Sequence, residues 1–263
     1  MNNPYLMEKI KVLDVKPETK IDYTFTLEYS KPLIGGQFLQ LSIPGVGEAP
    51  ISISDFEDNR LDMTIRKVGK LTDEIFNLEA GDFLYARGPY GNGFDLDDYK
   101  DSHLIVIAGG TGLAPVKSII KHFINNQMQV KSLQVLLGFK SPKDILFKET
   151  IKDWSEKSKV TLTVDNGDEN WEGKTGLITK YISDLDVSDV KNTKVVVVGP
   201  PIMMKFTTLE LLKNNFLEEN IWVSFERKMS CGIGKCGHCK IDETYVCVEG
   251  PVFKYEKAKK LID

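Results

Sequence analysis

The sequence lacks any apolar run long enough to form a transmembrane helix. Continuous apolar stretches such as Leu104–Ala108 and Val195–Val198 are strand-sized, whereas a membrane span needs roughly 20 residues. The first residues also lack the basic and apolar segments of a secretory signal. The formal net charge of -4 provides no strong field for nucleic acid or for an anionic membrane surface. We therefore expect a soluble cytoplasmic protein that binds neither.

Cysteine is absent from most of the chain, since all four cysteines lie between positions 231 and 247. Secreted disulfide scaffolds spread their cysteines through a short chain, so this distribution excludes a disulfide framework. Four cysteines in one short segment of an intracellular protein indicate a metal site. Histidine is also scarce, with three in the chain, and no His/Asp/Ser set suggests a general base or nucleophile. We therefore expect no catalytic side chain, neither a general base nor a nucleophile.

The spacing of the cysteines is C-x4-C-x2-C followed by a fourth cysteine after seven residues. This is the spacing of plant-type 2Fe–2S ligation. The four predicted ligands are Cys231, Cys236, Cys239 and Cys247. Glycines between them permit the positive-φ conformations with which a loop aims its N–H groups at cluster sulfurs.

A structural zinc site is the alternative for this segment. Zinc sites usually combine two close ligand pairs separated by a longer spacer, and here only Cys236 and Cys239 form such a pair. A Rieske centre needs two histidines, and His238 is the one histidine nearby. We therefore interpret His238 as a bystander or a hydrogen-bond donor.

The chain changes texture twice, which predicts three domains. Residues 1–98 contain short alternating strands typical of an antiparallel barrel. Residues 99–224 alternate buried apolar strands with helices, as in a parallel sheet with crossover helices. Residues 225–263 carry the cysteines and form neither kind of layer, so we expect a small cluster-binding lobe. The fold class is thus β followed by α/β.

Within the parallel-sheet region, we expect helices over Pro115–Asn126, Phe147–Lys157, Thr175–Ile182 and Met203–Asn215. Strand Leu104–Ala108 runs into the turn Gly109-Gly110-Thr111-Gly112. Glycines let the backbone approach a pyrophosphate, and Pro115 suits the first position of the following helix. The turn departs from G-x-G-x-x-G, and a tight turn in any α/β domain is its structural alternative. A second turn, Gly199-Pro200, follows strand Val195–Val198, and ligands of open sheets lie beyond such strand ends. Two such turns favour a dinucleotide site.

Taken together, these features resemble the ferredoxin–NADP reductase superfamily over essentially the whole chain. The family's R-P-x-S motif appears as Ala49-Pro50-Ile51-Ser52, and its R-x-x-G-x-x-T motif matches Arg66, Gly69 and Thr72. Ala49 departs from the pattern at the arginine that lies near the FAD phosphates. Gly88-Pro89-Tyr90-Gly91-Asn92-Gly93-Phe94 resembles the turn that closes the family's barrel, and we interpret it as structural.

The resemblance implies three cofactors, namely FAD, a 2Fe–2S cluster and NADH (or NADPH). It places Ser52 near flavin N5 and assigns phosphate contacts to Arg66 and Thr72. Taken singly, Arg66 could be a solvated strand-end charge and Thr72 a helix N-cap. The residues expected to bind FAD or the dinucleotide are Pro50, Ile51, Ser52, Ile65, Arg66, Gly69, Leu71, Thr72, Gly109, Gly110, Thr111, Gly112, Gly199 and Pro200.

Within the superfamily, the cysteine segment is most similar to anaerobic sulfite reductase B subunits. Dihydroorotate dehydrogenase electron-transfer subunits and sulfhydrogenase gamma subunits are near relatives. The resemblance implies electron transfer from NAD(P)H through FAD to the cluster, then to a siroheme-bearing, iron–sulfur sulfite reductase subunit or another redox partner. Two other functions stay open. One is a zinc-stabilised binding module without flavin, and the other is a self-sufficient reductase of a small substrate.

Some charged residues have two interpretations each. Glu226 either approaches the nicotinamide or is a surface carboxylate. Lys140 and Lys143 follow the second parallel strand, where a cation could meet the 2′-phosphate of NADPH. The C-terminal lysines either dock an acidic partner or solvate a helix; they are Lys254, Lys257, Lys259 and Lys260.

Overall fold

Six antiparallel strands near the N-terminus close into a barrel. They are β1 (Glu8–Pro17), β2 (Asp22–Glu28), β3 (Phe38–Ile43), β4 (Gly47–Glu57), β5 (Arg60–Arg66) and β6 (Phe83–Tyr90). Their order is β1-β2-β5-β4-β3-β6, and β1 pairs with β6 to close the sheet. The computed structural model describes residues 3–261. The predicted antiparallel barrel is confirmed.

The barrel forms because its strands alternate apolar and polar residues, so that one face of each strand fills the interior. Phe25, Leu39, Leu41 and Met63 are fully or almost fully buried in one core. Helix α1 (Lys70–Ile75) adds buried side chains to the same core. Because the core is filled by side chains from the strands and from α1, it fixes the positions of the strand ends.

The second sheet is parallel over six strands. These are β7 (His103–Gly109), β8 (Ser132–Phe139), β9 (Lys159–Val164), β10 (Lys174–Thr175), β11 (Thr193–Val198) and β12 (Ile221–Ser224), in the order β10-β9-β8-β7-β11-β12. Its helices are α2 (Lys117–Asn125), α3 (Lys148–Lys157) and α4 (Pro201–Lys213). β7 is buried from Leu104 to Gly109 between β8 and β11, as its continuous apolar run predicts.

Two helix predictions in this region are corrected. Residues Gly110–Val116 form a 3₁₀ helix, and the α-helix begins only at Lys117. Pro115 therefore lies inside the 3₁₀ turn and not at the start of α2. The expected helix Thr175–Ile182 is reduced to a 3₁₀ turn at Ile178–Tyr181, because the preceding residues pair with β9 as β10.

The last forty residues contain more regular structure than predicted. They include β13 (Lys240–Ile241), β14 (Thr244–Tyr245), helix α5 (Val246–Glu249), β15 (Val252–Lys254) and helix α6 (Tyr255–Ala258). The expectation that they join neither layer is wrong for β15, which extends the second sheet beside β12. β13 and β14 form a separate hairpin between the third and fourth cysteines.

The chain divides into two units by its internal contacts. The first comprises residues 1–94 and 225–252, and the second comprises residues 95–224 and 253–263. The cysteine segment thus belongs to the same unit as the barrel. The predicted three-domain boundaries at residues 98 and 224 stay a prediction. None of the helices within residues 3–261 has the length and apolar composition needed to cross a membrane.

Candidate functional site

The cysteine loop directs backbone N–H groups at its own sulfur atoms. The Cys231 Sγ accepts from the N–H of Lys235 at 3.3 Å and of Cys236 at 3.4 Å. The Cys247 Sγ accepts from the N–H of Gly234 at 3.3 Å. Gly234 has a φ of 70°, a conformation that an L-residue adopts only with strain. The loop therefore provides the donors that a negatively charged sulfur cluster requires.

The four thiols lie in two neighbouring pairs, although no three Cys, His, Asp or Glu side chains among residues 3–261 are arranged to hold one metal ion together. The Cys236 thiol hydrogen-bonds with Cys231, and the Cys247 thiol with Cys239. Pairwise ligation, with two protein ligands for each iron, is how a 2Fe–2S cluster is held. The donor set and its N–H groups therefore fit such a cluster.

The thiols differ in their ease of ionisation. Backbone N–H groups, that of His238 first among them, lower the pKa of Cys236 to about 7. Burial raises the pKa of Cys247 to about 12, and its hydrogen bond with Cys239 adds to the shift. Cys236 is exposed, whereas the other three cysteines are buried. The cluster site thus has one edge at the surface, at Cys236.

Three consecutive carbonyl groups of the cysteine loop accept hydrogen bonds from barrel side chains. Gln40 Nε2 donates to the Met229 oxygen at 2.7 Å. The Arg87 guanidinium donates to the Ser230 oxygen and, at 2.6 Å, to the Cys231 oxygen. Gln40 on β3 lies directly across from Arg87 on β6. The barrel therefore fixes the backbone that leads into the first cysteine.

Arg87 is enclosed by further polar and aromatic groups. Its guanidinium forms an ion pair with Glu48 and donates to the Tyr90 hydroxyl at 3.1 Å. The rings of Tyr5 and Tyr90 lie 5.6 and 5.5 Å from its central carbon. Burial opposes the charge, but the hydrogen bonds that the guanidinium donates to Glu48 and Tyr90 outweigh burial and raise the pKa of Arg87. The Arg87 guanidinium therefore keeps its positive charge.

Sequence reasoning missed Arg87, Glu48 and Gln40. The one signal in the sequence is an arginine directly before the Gly88-Pro89-Tyr90-Gly91 turn. The contacts of Gln40 and Arg87 with the cysteine loop join positions more than 140 residues apart along the chain, for example 144 residues between Arg87 and Cys231. No local pattern predicts such a contact.

The tripeptide Pro50, Ile51 and Ser52 lies half-buried on β4. Ser52 is opposite Phe38, and Pro50 is opposite Gln40, on β3. Ala49 cannot supply the family's phosphate-binding cation, and Arg87 is already engaged with Glu48 and two carbonyl groups. The assignment of Pro50, Ile51 and Ser52 to flavin binding stays a prediction.

Arg66 is not the solvated strand-end charge considered as its alternative. Its Nε donates to Asp22 Oδ1 at 2.7 Å and its Nη2 to Asp22 Oδ2 at 3.1 Å. The Asp22 side chain is 1% exposed and also accepts from the Thr19 hydroxyl at 2.7 Å. A two-point contact fixes a guanidinium in direction as well as in place. Arg66 is therefore oriented at the end of β5, beside the start of α1.

The predicted phosphate-binding turn is closed by Thr72. Its hydroxyl accepts from the N–H of Val68 at 2.9 Å and of Gly69 at 3.0 Å, and donates to the Gly69 carbonyl. The N-cap of α1 is Gly69, so the interpretation of Thr72 as the N-cap is wrong. A Cβ atom on Gly69 would meet nothing within 4 Å. Ile65 and Leu71, which flank the turn, are buried in the barrel core. The turn thus has free space beside Gly69, while its flanking side chains pack into the barrel core.

The two predicted dinucleotide turns of the second unit lie against each other. A Cβ atom on Gly112 would lie 2.6 Å from the Gly199 Cα and from the Val198 oxygen. Gly110 has a φ of 54°, and a Cβ atom there would meet nothing within 4 Å. Thr111 is half-buried and Pro200 exposed. These turns form an open backbone cradle at the carboxyl ends of β7 and β11, where open parallel sheets bind ligands.

The charged residues beyond the neighbouring strands have mixed environments. Burial raises the pKa of Asp165, which follows β9, and Lys140 partly offsets the shift. Of the C-terminal lysines, Lys259 forms an ion pair with Glu218, and Lys254 lies 5.2 Å over the Trp222 ring. Glu226 is exposed. The environments of these described residues therefore do not distinguish NADH from NADPH.

Two parts of the chain match known domain families. Residues 106–208 match the oxidoreductase NAD-binding domain. Residues 226–259 match the iron–sulfur cluster binding domain of dihydroorotate dehydrogenase B. The first match contains both glycine turns, and the second contains all four cysteines.

Two relatives are similar to this chain over nearly its whole length. Sulfhydrogenase 1 subunit gamma of Pyrococcus furiosus is 37% identical, covering 97% of this chain and 92% of that protein. A probable dihydroorotate dehydrogenase B (NAD(+)) electron transfer subunit of the same organism is 32% identical, covering 98% of this chain and 93% of that protein. The similarity therefore extends through the barrel, the parallel sheet and the cysteine segment.

Solved structures share the fold. A chain of the NADH-dependent reduced ferredoxin–NADP oxidoreductase is 23% identical with a TM-score of 0.79, covering 100% of this chain and 94% of that one. A ferredoxin NADP⁺ reductase from Neisseria gonorrhoeae is 21% identical with a TM-score of 0.65, covering 79% of this chain and 91% of that one. The predicted order of barrel, parallel sheet and cysteine segment is thus the order of a known architecture.

Proposed function

The chain belongs to the ferredoxin–NADP reductase superfamily, close to dihydroorotate dehydrogenase electron-transfer subunits and sulfhydrogenase gamma subunits, and from this membership we propose that it is an electron-transfer subunit. It is an NAD-dependent oxidoreductase of the flavin and iron–sulfur type. We propose that it takes electrons from NADH and delivers them singly, at the Cys236 edge, to a catalytic partner protein. The observation that carries this proposal is the loop whose N–H groups point at paired thiols.

Each part of the chain has a separate task in this proposal. The cradle at Gly110 and Gly112 holds the dinucleotide pyrophosphate, because its open backbone permits close approach. The tripeptide Pro50, Ile51 and Ser52 on β4 orients the flavin ring, and the turn closed by Thr72 holds the flavin phosphates. When bound, these cofactors supply hydride acceptance and single-electron transfer. The protein supplies orientation and the electrostatic environment.

Three kinds of catalytic partner are candidates for the electron acceptor. We propose a sulfite-reducing partner with siroheme and iron–sulfur centres, on the resemblance of the segment from Phe225 to Phe253. A sulfhydrogenase-type partner is the second candidate, favoured by 37% identity over 97% of the chain to a sulfhydrogenase gamma subunit. A dihydroorotate dehydrogenase partner is the third, supported by the match of residues 226–259.

Substitution of one predicted ligand tests the order of electron transfer. Cys236→Ser should stop electron delivery to an external one-electron acceptor protein, while NADH still bleaches the flavin at close to the wild-type rate. Stopped-flow absorbance measures both steps on anaerobically purified protein with known iron, sulfide and flavin contents. Wild-type protein with stoichiometric zinc and no flavin would refute the proposal, as would a C236S variant that delivers electrons normally.

Mixing experiments identify the acceptor. The NADH-reduced chain would be combined with each purified catalytic complex, and the consumption of sulfite, the evolution of hydrogen and the turnover of orotate would be measured. NADH-dependent loss of sulfite supports the first candidate. Hydrogen evolution without sulfite loss replaces it with the second, and orotate turnover with the third.

A further inference from the structure

Arg87 is a buried charge with an unusual set of partners. Its side chain is 5% exposed, and arginine is rarely buried unless it is paired. One side of the guanidinium faces Glu48, and the other faces the carbonyl groups of Ser230 and Cys231. Neither the dinucleotide turns nor the flavin segment explains this arrangement. The contacts lie instead at the first predicted iron ligand.

We propose that Arg87 and Glu48 act as a positioning charge pair that holds the backbone of the first cysteine ligand and sets the reduction potential of the iron–sulfur site. This inference rests on the proposed function, since it requires the cluster. It assigns to the barrel a direct part in tuning the cluster.

The holding role follows from the peptide geometry of the loop. Fixing the Cys231 oxygen fixes the plane of the next peptide unit, because the peptide group is planar. That plane sets where the chain turns before the N–H groups of Lys235 and Cys236 reach the Cys231 sulfur. Gly232 turns there with a φ of 75°, and a Cβ atom would lie 2.9 Å from the Tyr90 ring. Arg87 and Tyr90 thus constrain the start of the loop from the barrel side.

The tuning role follows from the location of the two charges. Reduction adds negative charge to the cluster, so a nearby cation favours the reduced form and a nearby anion disfavours it. Charges out of solvent are screened less than exposed ones. The Arg87 side chain is 5% exposed and that of Glu48 is 23% exposed, so Arg87 should have the larger effect. Removing one charge should therefore shift the potential in the direction opposite to removing the other.

The experiment is a potentiometric titration of the intact holoprotein, monitored by the electron paramagnetic resonance signal of the reduced cluster. Arg87→Gln should lower the midpoint potential, and Glu48→Gln should raise it by a smaller amount. Arg87→Lys keeps the charge and should stay close to wild type. Arg60→Gln removes the same charge from an exposed position at the start of β5 and serves as the control. Shifts of the same sign for R87Q and E48Q, or no shift beyond that of R60Q, would overturn the tuning role.

A second measurement tests the holding role without a cluster. Hydrogen exchange of the metal-free chain should show that amides 232–236 exchange at least several-fold faster in R87Q than in R60Q, with R87K intermediate. Equal exchange in R87Q and R60Q would overturn the holding role, even if R87Q fails to retain iron. Wild-type protein that binds no iron would instead refute the proposed function. The two failures are therefore distinguishable.

Discussion

Substitution of Gly112 by alanine tests whether the two dinucleotide turns meet as described. The new Cβ atom would lie 2.6 Å from both the Gly199 Cα and the Val198 oxygen. Both obstacles are backbone atoms, which cannot rotate away as the end of a flexible side chain can. Introducing a methyl group into a filled site costs roughly 1–3 kcal/mol, and rigid neighbours place Gly112→Ala at the upper end. We therefore expect a loss of about 3 kcal/mol in the free energy of unfolding, which is roughly 100-fold in the folding equilibrium.

Gly110→Ala provides the matched comparison in the same turn. Gly110 has a φ of 54° and open space around its Cα, so alanine there costs only backbone strain, roughly 1–2 kcal/mol. The difference between the two variants isolates the contact between the turns. Gly112→Ala should also weaken NADH binding, because relief of the clash moves the Gly199 turn out of the cradle.

Urea unfolding followed by circular dichroism measures the stabilities, and fluorescence titration with NADH measures the affinities. Both are carried out on protein with the same flavin content, since a bound cofactor stabilises the folded state by mass action. If G112A is no less stable than G110A and binds NADH as tightly as wild type, then the two turns do not touch, and the cradle is wrong.

Three further changes test other parts of the structure. Asp22→Asn should cost about 1.5 kcal/mol in the free energy of unfolding by urea, the lower end for hydrogen bonds to a charged group, because the Arg66 side chain is 36% exposed and solvent screens its charge; an unchanged midpoint would contradict the pairing. Thr72→Val should lower the free energy of unfolding by about 1 kcal/mol and weaken flavin retention on gel filtration, since the Gly69 N–H loses its acceptor. Flavin retention equal to that of wild type would refute the role of this turn in holding the flavin. Tyr99→Phe should be no less stable than wild type at pH 8, because the buried Tyr99 hydroxyl has no hydrogen-bond partner in the described chain and its removal strands no other group. Burial, with help from Asp98 and Asp95, raises the pKa of Tyr99 well above its usual value, so wild-type stability should fall as pH rises above about 10 and Y99F should fall less; parallel pH profiles would refute this.

The metal site and its surroundings differ in how far local sequence predicts them. The ligands are close in sequence, and the glycines between them specify the turn, so the spacing from Cys231 to Cys247 predicts the cluster by itself. Its attachment to the barrel rests on Gln40 and Arg87, and an arginine in an amphipathic strand gives no indication of its distant partners. The same holds for Arg66, whose partner Asp22 lies 44 residues away.

The order of elements followed from the sequence because strand and helix periodicities are local properties. Alternation over residues 1–98 predicted an antiparallel barrel, and apolar runs such as Leu104–Ala108 predicted a buried parallel sheet. The predictions that failed were those where tertiary contacts override a local pattern. Residues Lys174–Thr175 pair with β9 and shorten the expected helix after them, and β15 joins the edge of the sheet beside β12.

The sequence by itself determined the strand and helix order, the glycine turns and the four sulfur ligands, because each depends on residues near one another along the chain. Tertiary structure alone decided which turns meet and which side chains hold the cysteine loop. Those contacts form only after the chain has closed the barrel and the sheet, when residues as distant as Arg87 and Cys231 become neighbours. Packing of the whole unit, and no local preference, brings that charge to the cluster site.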